Sequence, residues 1–368
     1  MEMTTIEALA HEIRGGMMVF CIIWCFLLYP TRQRSRMMYL LFISTLWLTI
    51  SFLKDSVFVF EAIKYSIYLD NIVNLLDLTF FPLICAFFIE STRPGKPTGR
   101  QIAATLIIQL SLMLAYIVFP NEIILLCGYT VAIVMAIVTV AYVFVSAARY
   151  NKALSDNYSN IEHRDVKWVV PFSVVFFVFV IAYPILFNNT TWLSETIYDL
   201  ASMIVLSILF CIAKNHIVVS LNLDNNDNKS YTETFSNEYN NDELISDQEE
   251  IPMKEEIIGK KLRKAMEQDR LYLNTDLSLR EVSSAIGSNM KYVSLYLNKM
   301  LGLSFYEYVN KYRVGYACKL IHSMYESGRV NMTEVATQSG FNSLSSFNRY
   351  FKKEIGMTPK EYYYIQEK

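Results

Sequence analysis

The chain has 368 residues, 53% of them hydrophobic, and a formal net charge of −2. Its length allows two or three domains, and its composition is too apolar for an ordinary soluble chain. The near-neutral total conceals three regimes: 1–221 is balanced, 222–250 carries a net charge of −8, and 251–368 a net charge of +6.

Acids precede the first apolar run and no small-residue cleavage site follows it, so no cleaved signal peptide is expected. A membrane-spanning helix needs about 20 mostly apolar residues. Runs at 13–30, 37–53, 71–89, 101–119, 123–147, 168–187 and 196–219 meet that requirement, giving seven spans, with six the alternative. The third run is interrupted by Asn71, Asn74 and Asp77. With the N-terminus outside, the inward loops 31–36, 90–100 and 148–167 hold ten Lys/Arg, whereas the outward segments hold only Arg14, Lys54 and Lys64. That asymmetry obeys the positive-inside rule and leaves everything after residue 220 in the cytoplasm, the bundle lying in the inner membrane.

Ionisable groups within spans are costly and point to function. Asn71, Asn74 and Asp77, with Glu195 and Asp199 at the start of the seventh run, form a candidate outward polar cup for a small ligand such as a cation or a polyhydroxyl. Helix–helix hydrogen bonding is the alternative use of these groups. Pro82, Pro171 and Pro184 are positioned to kink their helices. Five of the six cysteines lie in apolar runs and Cys318 in a helical pattern, without zinc-type or C-x-x-C spacing, so all six read as packing residues.

Residues 222–253 are rich in Asn and acids and poor in apolar side chains, the composition of a flexible linker. About 30 residues of coil have a root-mean-square span of roughly 30 Å.

An internal repeat follows. "VSSAIGSNMKYVSLYLNKMLGLSFYEY" (282–308) aligns with "VATQSGFNSLSSFNRYFKKEIGMTPKEY" (335–362). Each copy sets a short amphipathic helix before a glycine, Gly287 or Gly340, and a second helix after it, the pattern of a helix-turn-helix. Val293, Leu297 and Leu301 in one copy, and Phe347, Phe351 and Ile355 in the other, are the expected inward positions. Between the copies, i, i+4 stripes through Tyr308–Tyr312–Tyr316–Leu320 and Val309–Arg313–Ala317–Ile321 predict one continuous helix over 305–325. Some 20 residues rising 1.5 Å each give roughly 30 Å. Adjacent major-groove openings on one face of B-DNA lie about 34 Å apart, so such a helix would set two recognition helices into neighbouring grooves.

The second copy, "TEVATQSGFNSLSSFNRYFKKEIGMTPKEYY", together with "RVGYACKLI" (313–321), resembles the DNA-binding domain of the AraC/XylS family of transcription regulators. The resemblance covers roughly 260–365, under a third of the chain. It implies a two-subdomain helical fold, cytoplasmic binding of double-stranded DNA, control of transcription (usually activation) and RNA polymerase as a partner. Leu295 stands where the family pattern often has a basic residue.

Early recognition-helix residues and those one turn later face base edges, and flanking basic residues hold phosphates. The second copy supplies Ser343, Leu344, Ser345, Asn348 and Arg349, with Lys352 and Lys353 for phosphate; Arg349 suits guanine and Asn348 adenine. The first copy supplies Asn289, Met290, Lys291, Ser294 and Asn298, with Lys299 for phosphate. The chain carries no G-x-x-x-x-G-K-[ST], G-x-G-x-x-G or H-E-x-x-H motif and no catalytic cluster around its four histidines, so no enzyme, metal or cofactor is expected.

The expected architecture is all-α: a seven-helix membrane sensor bundle (1–221), a linker (222–253) and a double helix-turn-helix domain (254–368). Two alternatives to a tethered regulator stay open at this level. One is a transporter or channel with a regulatory cytoplasmic domain; the other is a regulator released by proteolysis in the linker.

Overall fold

The computed structural model describes residues 5–57, 67–95, 99–186, 192–219, 221, 250–326 and 331–365. The described residues are helical with no strand, apart from one isolated antiparallel bridge between Tyr158 and Ser278. The chain divides into two compact units. One comprises 1–150 and 166–221; the other comprises 151–165 and 222–368.

The first unit is built from α1 (Thr5–Leu28), α2 (Arg36–Val57), α3 (Ile67–Asp77), α4 (Phe81–Thr92), α5 (Gly99–Val118), most of α6 (Glu122–Asn157), α7 (Val169–Leu186) and α8 (Trp192–Asn215). A 3-10 turn at Leu78–Phe80 joins α3 to α4, and Pro82 follows in the first turn of α4. There its missing N–H costs no helical hydrogen bond. Helix α1 packs on α2 and α8, α2 on α4, and α4 on α5 and α7. Phe87, Phe88, Phe176 and Phe177 are buried where α4 meets α7. The outer surface is apolar as well: Phe26, Ile137 and Phe144 are more than 60% exposed.

Five helical stretches among the described residues are long and apolar enough to cross a membrane: Arg36–Lys54, Ile67–Thr92, Gly99–Val118, Glu122–Asn157 and Thr196–Asn215. Seven spans were expected. Among the described residues, the apolar stretches at Gly15–Leu28 and Val169–Val178 are shorter.

The second unit holds α9 (Glu250–Glu267), α10 (Leu279–Ala285), α11 (Met290–Leu295), α12 (Phe305–Glu326), α13 (Met332–Gln338), α14 (Leu344–Ile355) and α15 (Pro359–Ile365). Helix α9 starts within 250–253, the last residues of the stretch expected to be linker; 222–249 lie outside the described residues. Local chemistry sets the helix starts. Ser278 with Glu281, Ser304 with Glu307 and Thr358 with Glu361 each form a reciprocal cap: the hydroxyl accepts from the backbone N–H three residues on, and the carboxylate accepts from the capping residue's own N–H. Asn289, Asn331 and Ser343 cap α11, α13 and α14 through their side chains.

Two hydrophobic cores result. Leu262, Val282, Val293, Leu297, Phe305 and Val309 are central to the first; Val314, Ala317, Ile321, Val335, Phe347 and Phe351 form the second. Helix α12 is continuous, as its stripes predict, and supplies both cores from successive turns. One inward expectation fails. Leu301 is 41% exposed because the chain after α11 widens into a π-type turn over Tyr296–Met300. The extra residue per turn rotates Leu301 outward, and Leu303 packs on the core in its place.

Candidate nucleic-acid interface

Each helix-turn-helix needs its two helices to cross closely at the glycine. Gly287 has φ +60° and Gly340 φ +85°, left-handed values that disfavour a side chain. At Gly340 there is also no space, since a Cβ would lie 2.6 Å from the carbonyl oxygen of Tyr272. The second motif is thereby pressed against the 3-10 turn Leu271–Leu273, which packs on the first core.

In α14, one face carries the buried Phe347, Tyr350 and Phe351, while Leu344, Ser345, Asn348, Arg349, Lys352 and Lys353 are exposed. Ser343 is the N-cap, its hydroxyl accepting from the Ser346 N–H at 3.1 Å. Lys353 reaches back to α12 and pairs with Glu307 at 2.8 Å. In the first motif, Asn289 caps α11 by accepting from the Lys291 N–H at 2.9 Å. Met290 packs on the first core, and Lys291 and Ser294 are partly buried. Asn298 and Lys299 are exposed on the widened turn, the Asn298 amide donating to Ser294 at 3.2 Å. Helix α12, 22 residues or about 33 Å long, carries both motifs, and α14 reaches its first turn through Tyr350 and Lys353.

Arg313, on the inward stripe of α12, is 1% exposed, and every acceptor around its guanidinium is neutral. Nε donates to the Tyr272 carbonyl at 2.7 Å, Nη2 to the carbonyls of Asn274 at 2.6 Å and Thr275 at 3.3 Å, and Nη1 to the Asn310 side chain at 3.1 Å. Burial pulls its pKa down to about 10, so it stays charged at neutral pH.

The remaining acceptors come from residues that sequence reasoning passed over. The Ser159 carbonyl takes Nη1 at 3.2 Å and its hydroxyl takes Nη2 at 3.0 Å. The Ser159 N–H donates to the Leu277 carbonyl at 3.0 Å, beside the Tyr158–Ser278 bridge. The Asn160 amide and Arg164 each donate to Asp276 at 3.2 Å. Glu162 then reaches α14, where its carboxylate accepts from the Ser343 hydroxyl at 2.7 and 2.9 Å and from the Ser346 hydroxyl at 3.0 Å. The available sequence signal was Arg313 itself, a charge on an inward stripe that demands acceptors from somewhere.

Of the polar residues expected in the first unit, Asp77 and Asn71 are tied to neighbouring helices. Asp77 accepts from Ser51 at 2.5 Å and pairs with Lys54 at 3.0 Å, both on α2. The Asn71 amide donates to the Tyr116 hydroxyl of α5 at 2.8 Å, and that of Asn74 to Asp70 on its own helix at 3.3 Å. The Asp199 carbonyl accepts from Ser202 at 2.7 Å; the Glu195 side chain lies outside the described residues.

Comparison with known proteins matches residues 282–363 to a helix-turn-helix domain family. Curated relatives include proteins of Staphylococcus aureus strains COL and Mu50, both described as uncharacterized HTH-type transcriptional regulators. Each is 35% identical over 92 residues, a stretch covering 25% of this chain and 12% of the relative. No solved structure matches. The chain thus carries a C-terminal helix-turn-helix domain similar to those of transcriptional regulators, and the similarity leaves its first unit undescribed.

Proposed function

We propose that the chain is a membrane-tethered transcription regulator. In this reading residues 1–221 form a seven-span sensor bundle in the cytoplasmic membrane, 222–253 a linker, and 254–368 a reader of promoter DNA. The observation that carries the DNA half is the pair of helix-turn-helix motifs assembled on one continuous helix, α12, with the polar face of α14 exposed. Exposed Ser345, Asn348 and Arg349 face base edges from α14, and Lys352 holds phosphate. The first motif contributes less, through Asn298 and Lys299.

The membrane half is supported by the five long apolar helices, their apolar outer surface and the ten-to-three bias of basic loop residues. The polar groups Asn71, Asn74, Asp77, Glu195 and Asp199 are the proposed sensing region. Tight wiring of Asp77 to α2 makes it suited to transmit a shift between helices, so Asp77→Asn should blunt the response to stimulus.

Mapping chromosomal sites occupied by a tagged full-length protein tests the reading, in parallel with carbonate extraction of membranes. Sequence-specific occupancy by a protein retained in the extracted membrane fraction is the expected result. Occupancy without sequence preference, or release of the full-length protein by carbonate, would refute it.

A further inference from the structure

Residues 151–165 join α6 to α7 in the chain, yet they belong to the compact unit of the helix-turn-helix domain. Resting on the proposal that α14 reads DNA, we infer that this segment is an intramolecular clamp that competes with DNA for the second recognition helix. The domain therefore has a built interaction surface, and its partner is this chain's own inter-span segment.

The segment is anchored at Ser159. Its N–H, carbonyl and hydroxyl are all engaged, the last two by the buried guanidinium of Arg313. A buried cation whose hydrogen-bond acceptors are all neutral depends on each of them, so the anchor is specific rather than incidental. From that anchor Glu162 sets a carboxylate on the first turn of α14, where two hydroxyls donate to it. The positive end of the helix dipole adds to the attraction. Hydroxyls and an N-terminal helix end are also what a DNA phosphate oxygen seeks. Glu162 thus stands as a carboxylate mimic of a phosphate, one turn from Arg349. While it is seated, Ser343 and Ser346 are occupied and a fixed negative charge faces any approaching backbone phosphate. The clamp continues directly into α6 and α7, so movement of those helices has a covalent path to the DNA-reading surface without passing through 222–249.

The test uses the full-length chain in detergent micelles with a fluorescein-labelled pool of random 40-base-pair duplexes, comparing wild type with Glu162→Ala and Asp156→Asn. Asp156 lies in the same segment at the end of α6 and serves as a charge control. If the clamp is seated most of the time, Glu162→Ala tightens binding by about tenfold or more, the inverse of the unclamped fraction. Asp156→Asn should stay near wild type. In the wild type, saturating duplex should speed hydrogen exchange at the Ser159 amide, because its bond to Leu277 opens with the clamp. Equal affinity of Glu162→Ala and wild type, equal gains from both variants, or unchanged protection at Ser159 would each overturn the clamp while leaving DNA binding intact. Failure of all three proteins to bind duplex would overturn the DNA-reading proposal, and the clamp with it.

Discussion

The two helix-turn-helix motifs descend from one sequence pattern but are built to different tolerances. In the first, α11 has six regular residues, then relaxes into a widened turn that carries Asn298 and Lys299, and Gly287 turns in open space. In the second, α14 runs regularly for twelve residues, Gly340 touches the Tyr272 carbonyl, and the helix is tied to α12 by Lys353 and Tyr350. A rigid recognition helix holds its side chains at fixed angles to base edges, whereas a widened one accommodates. If the two motifs read DNA as proposed, the difference gives sequence discrimination to the second and general grip to the first.

The glycines offer the strongest way to break that contrast. Gly340→Ala meets both a left-handed backbone and a 2.6 Å approach to a carbonyl that already accepts from Arg313, so it should destabilise the domain by at least about 3 kcal/mol. Gly287→Ala carries only the backbone strain, about 1–2 kcal/mol. Thermal unfolding of the two full-length variants, followed by tyrosine fluorescence, checks the order. Equal losses would mean that the motifs are built alike.

The next contrast is in DNA binding. Arg349→Ala should weaken binding to a preferred site by about 1–3 kcal/mol and relax one base preference. Lys299→Ala on the widened turn should weaken all sequences alike and lower the salt slope by about one unit. Gel-shift titrations against selected and scrambled duplexes separate the two. Base relaxation by Lys299→Ala instead would reverse the assignment.

Smaller still are the caps. Ser343→Ala removes the N-cap of α14 and should cost about 1 kcal/mol, as should Asn289→Ala at α11. The two differ in consequence, because only Ser343 also holds Glu162. Near-equal stability losses, read by denaturant titration, combined with release of the 151–165 segment by Ser343→Ala alone, are expected.

Much of this was legible in the sequence. The glycine-centred repeat, the stripes through Val293 and Leu297 or Phe347 and Phe351, and the single helix between them are periodic signals, and periodicity survives folding because it records which face is buried. Leu301 was misplaced because a π-type turn changes the period without changing residue types. Five of the seven expected spans are long apolar helices among the described residues, and the shorter apolar stretches Gly15–Leu28 and Val169–Val178 fall within the other two. Docking of 151–165 was invisible for another reason. Its anchors at Ser159 are mostly backbone groups, which every residue carries, and its polar side chains look like those of any solvated loop. Only a charge on the inward stripe of α12 betrayed it.

The last test concerns what holds α14 to α12. Glu307 completes the cap at Ser304 and accepts from Lys353, while its backbone carbonyl accepts from the Tyr350 hydroxyl at 3.1 Å. The hydrogen bond from the Lys353 ammonium holds the Glu307 carboxyl below the ordinary glutamate value of 4.5; burial opposes it, and the Ser304 donors add to the lowering. A lowered folded-state pKa means that the unfolded chain takes up the proton first. The pair's contribution is therefore fully present above about pH 4.5 and is lost as pH falls through the folded value. Both side chains are substantially exposed, so solvent screening keeps that contribution below about 1 kcal/mol. Glu307→Gln keeps a cap acceptor and removes the charge, so it should lower stability slightly at pH 7 and converge with wild type toward pH 3. A difference that persists at low pH would place the stabilising effect of Glu307 in the cap, leaving α14 tied to α12 by Tyr350 and packing alone.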